Sequence, residues 1–387
     1  MFKLLTLNKI SPVGMSVFNP EKYTYSADMQ EPDGILVHSA PLHDMKFAPN
    51  LRAIIRIGAG VNTIPVDRCS EEGIVVFNTP GGNANAVKEL AVSAIIAADR
   101  NMRAAAEWVE GLKGNSEPGK TVEKGKEVFR GQEIMGKKVG IIGVGAIGSR
   151  MAKALTALGM QVIGYDPYLT PQTVDELRPY IAMVEDPREI YKTCDYITVH
   201  VPLNDETRDY IGEHEIAMMK DGVRIINFAR GPIVNNEAIV EALKSGKVHH
   251  LITDFPTDEQ LELKNVYPTP HLGAGTPEAD ENCAVMASRQ MIDYLENGNI
   301  TNSVNLPDVS MRRGSGERVC VIHKNVPSMI ANITGVFSAA GVNIQSLINR
   351  SRGDLAYSMV DIEGQVSPEA EEALGKLDSV IRVLVYR

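Results

Sequence analysis

The chain has 387 residues, enough for two or three domains with sizeable cores. Hydrophobic residues make up 44% of it and charged residues 23%, as in ordinary globular proteins, and the formal net charge is −10. This acidic balance argues against nucleic acid as a partner, and it requires a local positive cluster for any anionic ligand. The four cysteines form no C-x-x-C pair and are expected to be buried free thiols. Without a signal-peptide core or a membrane-spanning stretch, the cytoplasm is the expected location.

The first 97 residues alternate short apolar runs with loops and helices. Buried parallel strands are predicted at residues 34–38, 51–57 and 74–77. Residues 58–62 contain two glycines and follow the second of these strands, at the end where α/β sheets bind ligands. An anion site and a simple turn fit that segment about equally well. A long helix is predicted over residues 86–101, and the glycine- and lysine-rich residues 111–126 predict a loop.

The most informative stretch is residues 137–150, which predicts a strand, a tight turn and a helix. The turn carries the pattern G-x-G-x-x-G, formed by Gly143, Gly145 and Gly148. The first glycine permits the tight turn, the second lets the backbone approach a pyrophosphate, and the third lets the helix pack against the strand. The helix that follows, over residues 149–158, directs its N-terminal N–H groups and its dipole toward the phosphates. A dinucleotide is therefore the expected ligand, although glycine-rich turns can also be purely structural.

An acidic residue ends the next predicted strand, residues 161–166. Asp166 lies 18 residues beyond Gly148, where a carboxylate accepts hydrogen bonds from an adenosine ribose. The same carboxylate would repel a 2′-phosphate, and neither Pro167 nor Tyr168 is basic. The sequence therefore favours NAD over NADP as the cofactor.

Further strands are predicted at residues 196–201, 224–228 and 249–254, with helices between them, which indicates a doubly wound sheet. One of these helices covers residues 236–245 and ends at Gly246. From residue 301 to 316 the composition becomes polar, with a proline and two glycines, which is typical of a linker. The remaining residues, 317–387, predict the order βαββαβ, which is a ferredoxin-like module.

Side chains capable of acid–base chemistry follow the later strands. Arg230 comes after residues 224–228, where a guanidinium can hold a carboxylate through two hydrogen bonds. His271 lies in a glycine-rich turn and can act as an acid or a base near neutral pH. Asp258 and Glu259 lie between them in sequence, and a carboxylate beside the imidazole would favour its protonated form. Each of these residues could instead form an ordinary surface contact.

The chain resembles the D-2-hydroxyacid dehydrogenase family over nearly its whole length, and within it the members that carry a C-terminal ACT domain. The resemblance rests on four motifs, at residues 139–148, 227–231, 254–258 and 269–273. It implies an α/β fold with a Rossmann NAD-binding domain inserted in a flavodoxin-like substrate domain. The implied domains are substrate binding at 1–97 and 274–303, NAD binding at 98–273, a linker at 304–316, and the ferredoxin-like ACT domain at 317–387.

The resemblance implies a catalytic set of an arginine, an acid and a histidine. Arg230 and His271 match the first and the last. The acid is Asp258 if the Phe-Pro-Thr segment is aligned, and Glu259 if residues are counted without a gap from Arg230; the sequence leans slightly to Asp258. The implied reaction is the NAD-dependent oxidation of D-3-phosphoglycerate to 3-phosphohydroxypyruvate, the entry to serine synthesis. Oxidation of another D-2-hydroxy acid, or a non-catalytic NAD(H)-sensing scaffold, is the alternative.

The resemblance also implies sets of binding residues, and no metal site is expected. The cofactor set is Gly143, Gly145, Ala146, Ile147, Gly148, Asp166, His200, Val201, Pro202, Ala229, Asp254 and Gly273. The substrate set is His38, Ser39, Arg56, Ala59, Gly60 and Asn85. The family often has an arginine for the substrate phosphate where this chain has His38, so Arg56 is a candidate to replace it. The implied effector is L-serine, bound across paired ACT domains by His323, Asn325 and Asn343, in a homo-oligomer that is a dimer or a tetramer.

Overall fold

The computed structural model describes residues 1–387, which separate into two compact units. One unit combines Met1–Asn83 with Pro277–Arg387, and the other is Ala84–Thr276. The predicted boundary after residue 97 falls inside a helix that the second unit contains whole, and the predicted C-terminal domain belongs to the first unit. No helix combines the length and the apolar character that crossing a membrane requires.

The first 83 residues form a five-stranded parallel sheet. Its strands and helices are β1 (Phe2–Leu7), α1 (Pro12–Met15), β2 (Tyr23–Ser26), β3 (Gly34–Val37), β4 (Ala53–Arg56), α2 (Val66–Glu71) and β5 (Val75–Phe77). The order β2-β1-β3-β4-β5 is that of a flavodoxin-like sheet, with the order reversing between β1 and β3. All residues of β3 and β5 are buried, as expected of strands covered on both faces.

The second unit begins with helices and continues as a seven-stranded parallel sheet. Its first half contains α3 (Ala84–Asp99), α4 (Met102–Glu110), α5 (Pro118–Gly125), β6 (Lys138–Ile142), α6 (Ala146–Ala157), β7 (Gln161–Tyr165), α7 (Pro171–Leu177) and β8 (Ala182–Met183). The second half contains α8 (Arg188–Thr193), β9 (Tyr196–Val199), α9 (Glu213–Met218), β10 (Val223–Asn227), α10 (Asn236–Ser245), β11 (Val248–Thr253), α11 (Asp258–Leu261) and β12 (Val266–Pro268). The order β12-β11-β10-β9-β6-β7-β8 reverses between β6 and β9, which confirms the predicted Rossmann arrangement.

The loop predicted over residues 111–126 is wrong in its second half. Helix α5 begins at Pro118 and is followed by a 3₁₀ turn, Lys126–Phe129. The ring of Trp108, from α4, lies 5.3 Å from that of Phe129, and Gly125 passes so close to the indole that a Cβ would not fit. The sequence misled because α5 buries none of its residues, so it carries no apolar stripe facing a core.

After the second unit the chain returns to the first. It forms α12 (Pro277–Asn297), β13 (Arg318–Lys324), α13 (Met329–Ala339), β14 (Ile344–Arg352), β15 (Leu355–Ile362), α14 (Pro368–Gly375) and β16 (Val380–Tyr386). The last four strands make an antiparallel sheet in the order β14-β15-β13-β16. This confirms the predicted ferredoxin-like βαββαβ module.

The ferredoxin-like module shares a hydrophobic core with the five-stranded sheet. Residues from one face of its strands, such as Tyr357 and Leu384, belong to the same buried cluster as Phe77 and Tyr294. Arg318 forms a fully buried ion pair with Asp361 and also donates to the carbonyl of Asn297, 2.8 Å away. The ferredoxin-like module is therefore an integral part of its unit.

The segment predicted as a linker, residues 304–316, has no helix or strand but is packed against the unit. Leu306 and Val309 are buried, and Val309 pairs with Ile300 in an isolated β-bridge. Arg313 donates to the carbonyls of Glu296 and Tyr386. Polar composition and proline suggested a linker, whereas tertiary packing fixes this segment in place. All four cysteines are buried and free, as predicted.

Candidate active site

The glycine-rich turn between β6 and α6 fits a dinucleotide pyrophosphate. Gly143 has a φ of 87°, and a Cβ there would lie 2.7 Å from the carbonyl oxygen of His200. A Cβ on Gly148 would overlap the carbonyl oxygen of Gly143, so helix α6 can pack here only without a side chain. Gly145 faces open space, which leaves room for phosphate oxygens beside the first N–H groups of α6, from Ala146 and Ile147.

Asp166 follows β7 directly and is held beside the glycine turn. Its Oδ2 accepts a hydrogen bond from the N–H of Val144, 2.9 Å away, and its Oδ1 accepts one from the N–H of Tyr168 at 3.0 Å. A carboxylate has about four acceptor positions, so two remain for hydroxyl donors such as those of a ribose.

His200, Val201 and Pro202 follow β9, the neighbour of β6 across the reversal of the strand order. The N–H of His200 donates to the carbonyl of Ile142 at 2.7 Å, and its Nε2 lies 2.9 Å from the hydroxyl of Thr198. Burial lowers the pKa of His200 to about 4, so the imidazole is neutral at physiological pH. The structure thus places these three residues at the same sheet edge as the glycine turn.

Arg230 lies three residues beyond β10, in a loop shaped by a buried asparagine. The Asn227 side chain accepts from the N–H of Ala229 at 3.1 Å and donates to the carbonyl of Arg230 at 2.9 Å. Nη1 of Arg230 donates to the carbonyl of Ala229, which leaves the outer edge of the guanidinium able to bind an anion. Its Cζ lies 6.0 Å from the ring centroid of Phe255.

His271 packs against the same aromatic ring. The ring centroids of Phe255 and His271 are 4.7 Å apart, and the imidazole is exposed to solvent. The backbone of His271 has a φ of 54°, a left-handed conformation that is uncommon for histidine and is often found at functional sites. Phe255 therefore packs against both the predicted arginine and the predicted histidine.

Asp254 fixes the loop that carries His271. It is buried, and its Oδ1 accepts from the Thr269 hydroxyl and from the N–H of Leu272 at 3.0 Å. Its Oδ2 accepts from the N–H of Gly273 at 2.6 Å, and its carbonyl accepts from the N–H of His271 at 3.2 Å. Asp254 accepts four hydrogen bonds from this loop, which explains how the left-handed backbone at position 271 is maintained.

Neither candidate acid hydrogen-bonds to His271 in this structure. The carboxylate of Glu259 accepts from the side-chain amide of Asn236 on α10, whose oxygen in turn accepts from Thr257 at 2.9 Å. Asp258 begins α11 and is exposed, with no hydrogen bond from its side chain to another residue. Of the two, Asp258 is the carboxylate that is not already engaged.

In the first unit, the segment after β3 carries His38 and Ser39. The Asn8 side chain accepts from the N–H groups of Ser39 and Ala40, both at 2.9 Å. His38 places its Nε2 3.8 Å from Oδ1 of Asp280 on α12. The imidazole that was expected to assist with a phosphate therefore has a carboxylate beside it.

Arg56 ends β4, and its side chain folds over Gly58, whose φ is 124°. The N–H of Gly58 donates to the buried hydroxyl of Thr79 at 2.6 Å. The N–H groups of Ala59 and Gly60 donate to no other residue, so this turn retains two backbone donors for an anion.

The remaining predicted substrate residue, Asn85, lies at the start of α3 in the second unit. Its side chain donates to Glu89 at 2.9 Å, a contact within that helix.

The predicted effector residues lie at two ends of the C-terminal sheet. His323 is buried near the end of β13, with Nε2 3.0 Å from the hydroxyl of Ser358 and Nδ1 2.8 Å from the carbonyl of Lys324. Asn325 follows β13 and donates to the carbonyl of Gly353 at 3.2 Å. Asn343 precedes β14, whose first residue pairs with the last residue of β15, at the opposite end of the sheet. One protomer alone does not bring the three side chains together.

Sequence reasoning missed several contacts that shape the site. Phe255 and Asn227 lie in motifs, but the contacts of their side chains were not predicted, and Asn8 carried no signal because its partners are backbone groups. Asp280 was overlooked because it lies 242 positions from His38 in sequence. No local pattern could have found these contacts.

The site loops described for the second unit leave the carboxyl edge of one parallel sheet, after β6, β7, β9, β10, β11 and β12. A glycine turn with room for a phosphate, an acid with free acceptor positions, an arginine and a histidine along one edge are typical of a dinucleotide-dependent dehydrogenase.

Comparisons with known proteins specify the family. Residues 92–273 match the NAD-binding domain of D-isomer-specific 2-hydroxyacid dehydrogenases. The D-3-phosphoglycerate dehydrogenase of Haemophilus influenzae is 32% identical over 356 residues, which cover 88% of this chain and 82% of that protein. The chain therefore belongs to the D-isomer-specific 2-hydroxyacid dehydrogenase family, and the predicted cofactor, NAD, is confirmed.

Two further relatives show the extent of the similarity. The D-3-phosphoglycerate dehydrogenase of Methanocaldococcus jannaschii is 34% identical over 321 residues, which cover 81% of this chain but only 58% of that protein. The crystal structure of NAD⁺-bound 3-phosphoglycerate dehydrogenase from Entamoeba histolytica superposes with a TM-score of 0.62 at 24% identity, covering 79% of this chain and 98% of that one. At that identity the structural match supports the fold alone.

Proposed function

We propose that the chain oxidises D-3-phosphoglycerate to 3-phosphohydroxypyruvate with NAD⁺, the reaction that supplies the carbon skeleton of L-serine. The observation that carries this proposal is that Arg230 and His271 both lie near the ring of Phe255, at the edge of the NAD-binding sheet. The names of the relatives that align over most of the chain support the choice of substrate.

The cofactor is assigned to the edge of the second sheet. Gly143, Gly145 and the start of α6 hold the pyrophosphate, and Asp166 accepts hydrogen bonds from the adenosine ribose. Bound NAD⁺ supplies a hydride acceptor. The neutral imidazole of His200 adds no positive charge near this edge.

The two side chains around Phe255 have different roles. The guanidinium of Arg230 holds the substrate carboxylate and polarises the oxygen on C2. The imidazole of His271 removes the proton of the C2 hydroxyl as the hydride leaves, and it returns that proton when the reaction runs in reverse. Asp254 holds the loop of His271 but is not assigned a proton.

We assign the third catalytic group to Asp258 rather than Glu259. Glu259 is tied to α10 through Asn236, whereas the side chain of Asp258 is exposed and makes no hydrogen bond to another residue. A carboxylate approaching His271 stabilises the imidazolium that forms when the proton is taken up. Asp258→Asn should therefore lower turnover more than Glu259→Gln does.

The proposal is tested by NADH production with D-3-phosphoglycerate and with D-glycerate, each with and without L-serine. His271→Ala should abolish turnover while NADH binding, followed by fluorescence, stays normal. Preference for the phosphorylated acid supports the assignment. Turnover of D-glycerate at an equal or higher rate would keep the dehydrogenase chemistry and replace the substrate. NADH binding without turnover of any hydroxy acid, together with a change of oligomeric state, would favour the sensing scaffold.

Polar groups of the first unit are able to bind an anion such as the substrate phosphate. The N–H groups of Ala59 and Gly60, with Arg56 beside them, form an anion-binding turn. His38 and Ser39 complete the substrate set, although the contact between His38 and Asp280 favours a second candidate, an unphosphorylated D-2-hydroxy acid.

We propose that L-serine binds between two copies of the C-terminal sheet. Strand β14 is an edge strand with one unpaired side. If two copies pair antiparallel along β14, the start of one strand meets the end of the other. Asn343 of one copy then lies near the loop of Gly353 in the other, to which Asn325 is hydrogen-bonded. Amide side chains can donate to the carboxylate of serine and accept from its ammonium group.

A homo-oligomer is proposed on a second surface as well. Helix α4 buries none of its residues, and Met102, Val109 and Val128 are all at least 47% exposed. Such a cluster of exposed apolar side chains is typical of a surface that is covered in an assembly. Size-exclusion chromatography with light scattering measures the number of copies.

A further inference from the structure

His38 and Asp280 form a charge pair at the edge of the five-stranded sheet. His38 follows β3 directly, and Asp280 lies in the first turn of α12, with 3.8 Å between Nε2 and Oδ1. The His38 side chain is 42% exposed and that of Asp280 is 66% exposed, so a dissolved ligand can reach both. The strand order reverses between β1 and β3, which is where open α/β sheets bind ligands.

The backbone next to His38 has few N–H groups left to bind an anion. The N–H groups of Ser39 and Ala40 both donate to the Asn8 side chain, so they are already used. Only the imidazole of His38 can supply positive charge from this segment, and only when it is protonated. Any negative charge beside it therefore has a direct effect on how well the segment holds a phosphate.

Asp280 brings that negative charge into a region where Arg56 brings a positive one. Burial is the main reason why the pKa of the Cys283 thiol is raised; Arg56 lowers that pKa and Asp280 raises it. Both charges thus act on the same part of α12. A phosphate dianion is repelled by a carboxylate about twice as strongly as a single negative charge is, so Asp280 affects phosphorylated acids most.

We infer that Asp280 is a specificity-determining residue, whose carboxylate weakens the binding of a substrate phosphate beside His38 and lowers the preference for phosphorylated over unphosphorylated 2-hydroxy acids. The inference rests on the proposed function, because it concerns which acid the proposed site accepts. The family often has an arginine where this chain has His38, and Asp280 is then a second specificity-determining residue, on another element of the fold.

The test compares Asp280→Asn with the wild-type chain at pH 9, where a histidine side chain is neutral and the carboxylate is the charge that changes. KM and kcat are measured for D-3-phosphoglycerate and for D-glycerate. Glu278→Gln is the matched control, because Glu278 is an exposed carboxylate in the same first turn of α12. Calorimetric titration of D-3-phosphoglycerate into each variant gives a binding constant that does not depend on turnover.

Asp280→Asn should lower KM and the dissociation constant for D-3-phosphoglycerate about threefold to tenfold at low salt. The KM and dissociation constant for D-glycerate should stay within about twofold of wild type, because D-glycerate has no phosphate to interact with Asp280. All values for Glu278→Gln should also stay within about twofold of wild type, because this variant leaves Asp280 unchanged. An unchanged or weaker affinity for D-3-phosphoglycerate, or an equal change for both acids, would overturn the inference. Failure to oxidise either acid would overturn the proposed function, while the calorimetric comparison would still decide the role of Asp280.

Discussion

Asp254→Ala removes the anchor of the loop that carries His271. Three donors lose their acceptor, namely the Thr269 hydroxyl and the N–H groups of Leu272 and Gly273. Hydrogen bonds to a charged group contribute about 1.5–3 kcal/mol each, and water replaces part of that, so the loop loses roughly 3 kcal/mol of anchoring. That loss is as large as or larger than the roughly 1–3 kcal/mol that a left-handed non-glycine residue costs, so the backbone at position 271 relaxes.

A relaxed loop displaces the imidazole by an ångström or more, and a displacement of about 1 Å reduces turnover about 100-fold. We therefore expect kcat to fall by about two orders of magnitude in Asp254→Ala, while the dissociation constant of NADH stays near the wild-type value. Thr269→Val is the control, because it removes one donor and keeps both backbone bonds; kcat should fall only about threefold.

The assay is steady-state NADH production combined with fluorescence titration of NADH. A kcat within twofold of wild type in Asp254→Ala would refute the anchoring argument. A weakened NADH affinity with an unchanged kcat would instead support the role first predicted from the sequence, in which Asp254 contacts the cofactor.

Three further predictions concern cofactor binding and the stability of the fold. Gly148→Ala should weaken NADH binding more than about tenfold, because its Cβ would overlap the backbone of the glycine turn; normal affinity in a fluorescence titration would contradict this. Arg318→Met leaves Asp361 buried without a counter-ion, so the free energy of unfolding should fall by about 3–5 kcal/mol. The double variant Arg318→Met with Asp361→Leu should recover much of that loss. Equal denaturation midpoints for the single and double variants would rule this out. Burial is the main reason why the pKa of His250 is lowered to about 4. As the pH falls from about 6.5, the unfolded chain therefore takes up a proton before the folded chain does, and the free energy of unfolding drops by up to about 1.4 kcal/mol per pH unit. His250→Phe should lack this part of the acid dependence of the thermal midpoint, and parallel curves for both proteins would contradict it.

The sequence predicted the NAD-binding sheet well because its signals are local. The glycines between β6 and α6 are needed for a positive φ and for close packing, so their spacing alone indicates the turn. Gly246 was likewise predicted to end α10, and it does so with a φ of 80°. Arg230 and His271 were found because each follows a strand, and parallel strands place such residues along one edge.

Predictions failed or stayed incomplete where contacts are distant in sequence. Helix α5 was read as a loop because it buries no apolar residue, and residues 304–316 were read as a linker although their apolar side chains are packed. The choice between Asp258 and Glu259 could not be made from spacing, since it depends on the hydrogen bond between Glu259 and Asn236 of another helix. The predicted carboxylate contact with His271 stays a prediction.

The sequence by itself determined the order of the elements and the glycine turn, and it singled out the predicted ribose-binding acid and the predicted catalytic arginine and histidine. These depend on backbone conformations and strand ends that a few neighbouring residues set. Only the tertiary structure placed Phe255 against both catalytic side chains, gave Asp254 its loop donors, set Asp280 beside His38 and joined the C-terminal sheet to the core of its unit. Those features depend on which surfaces exclude water together, and that is decided by packing between elements far apart in the chain.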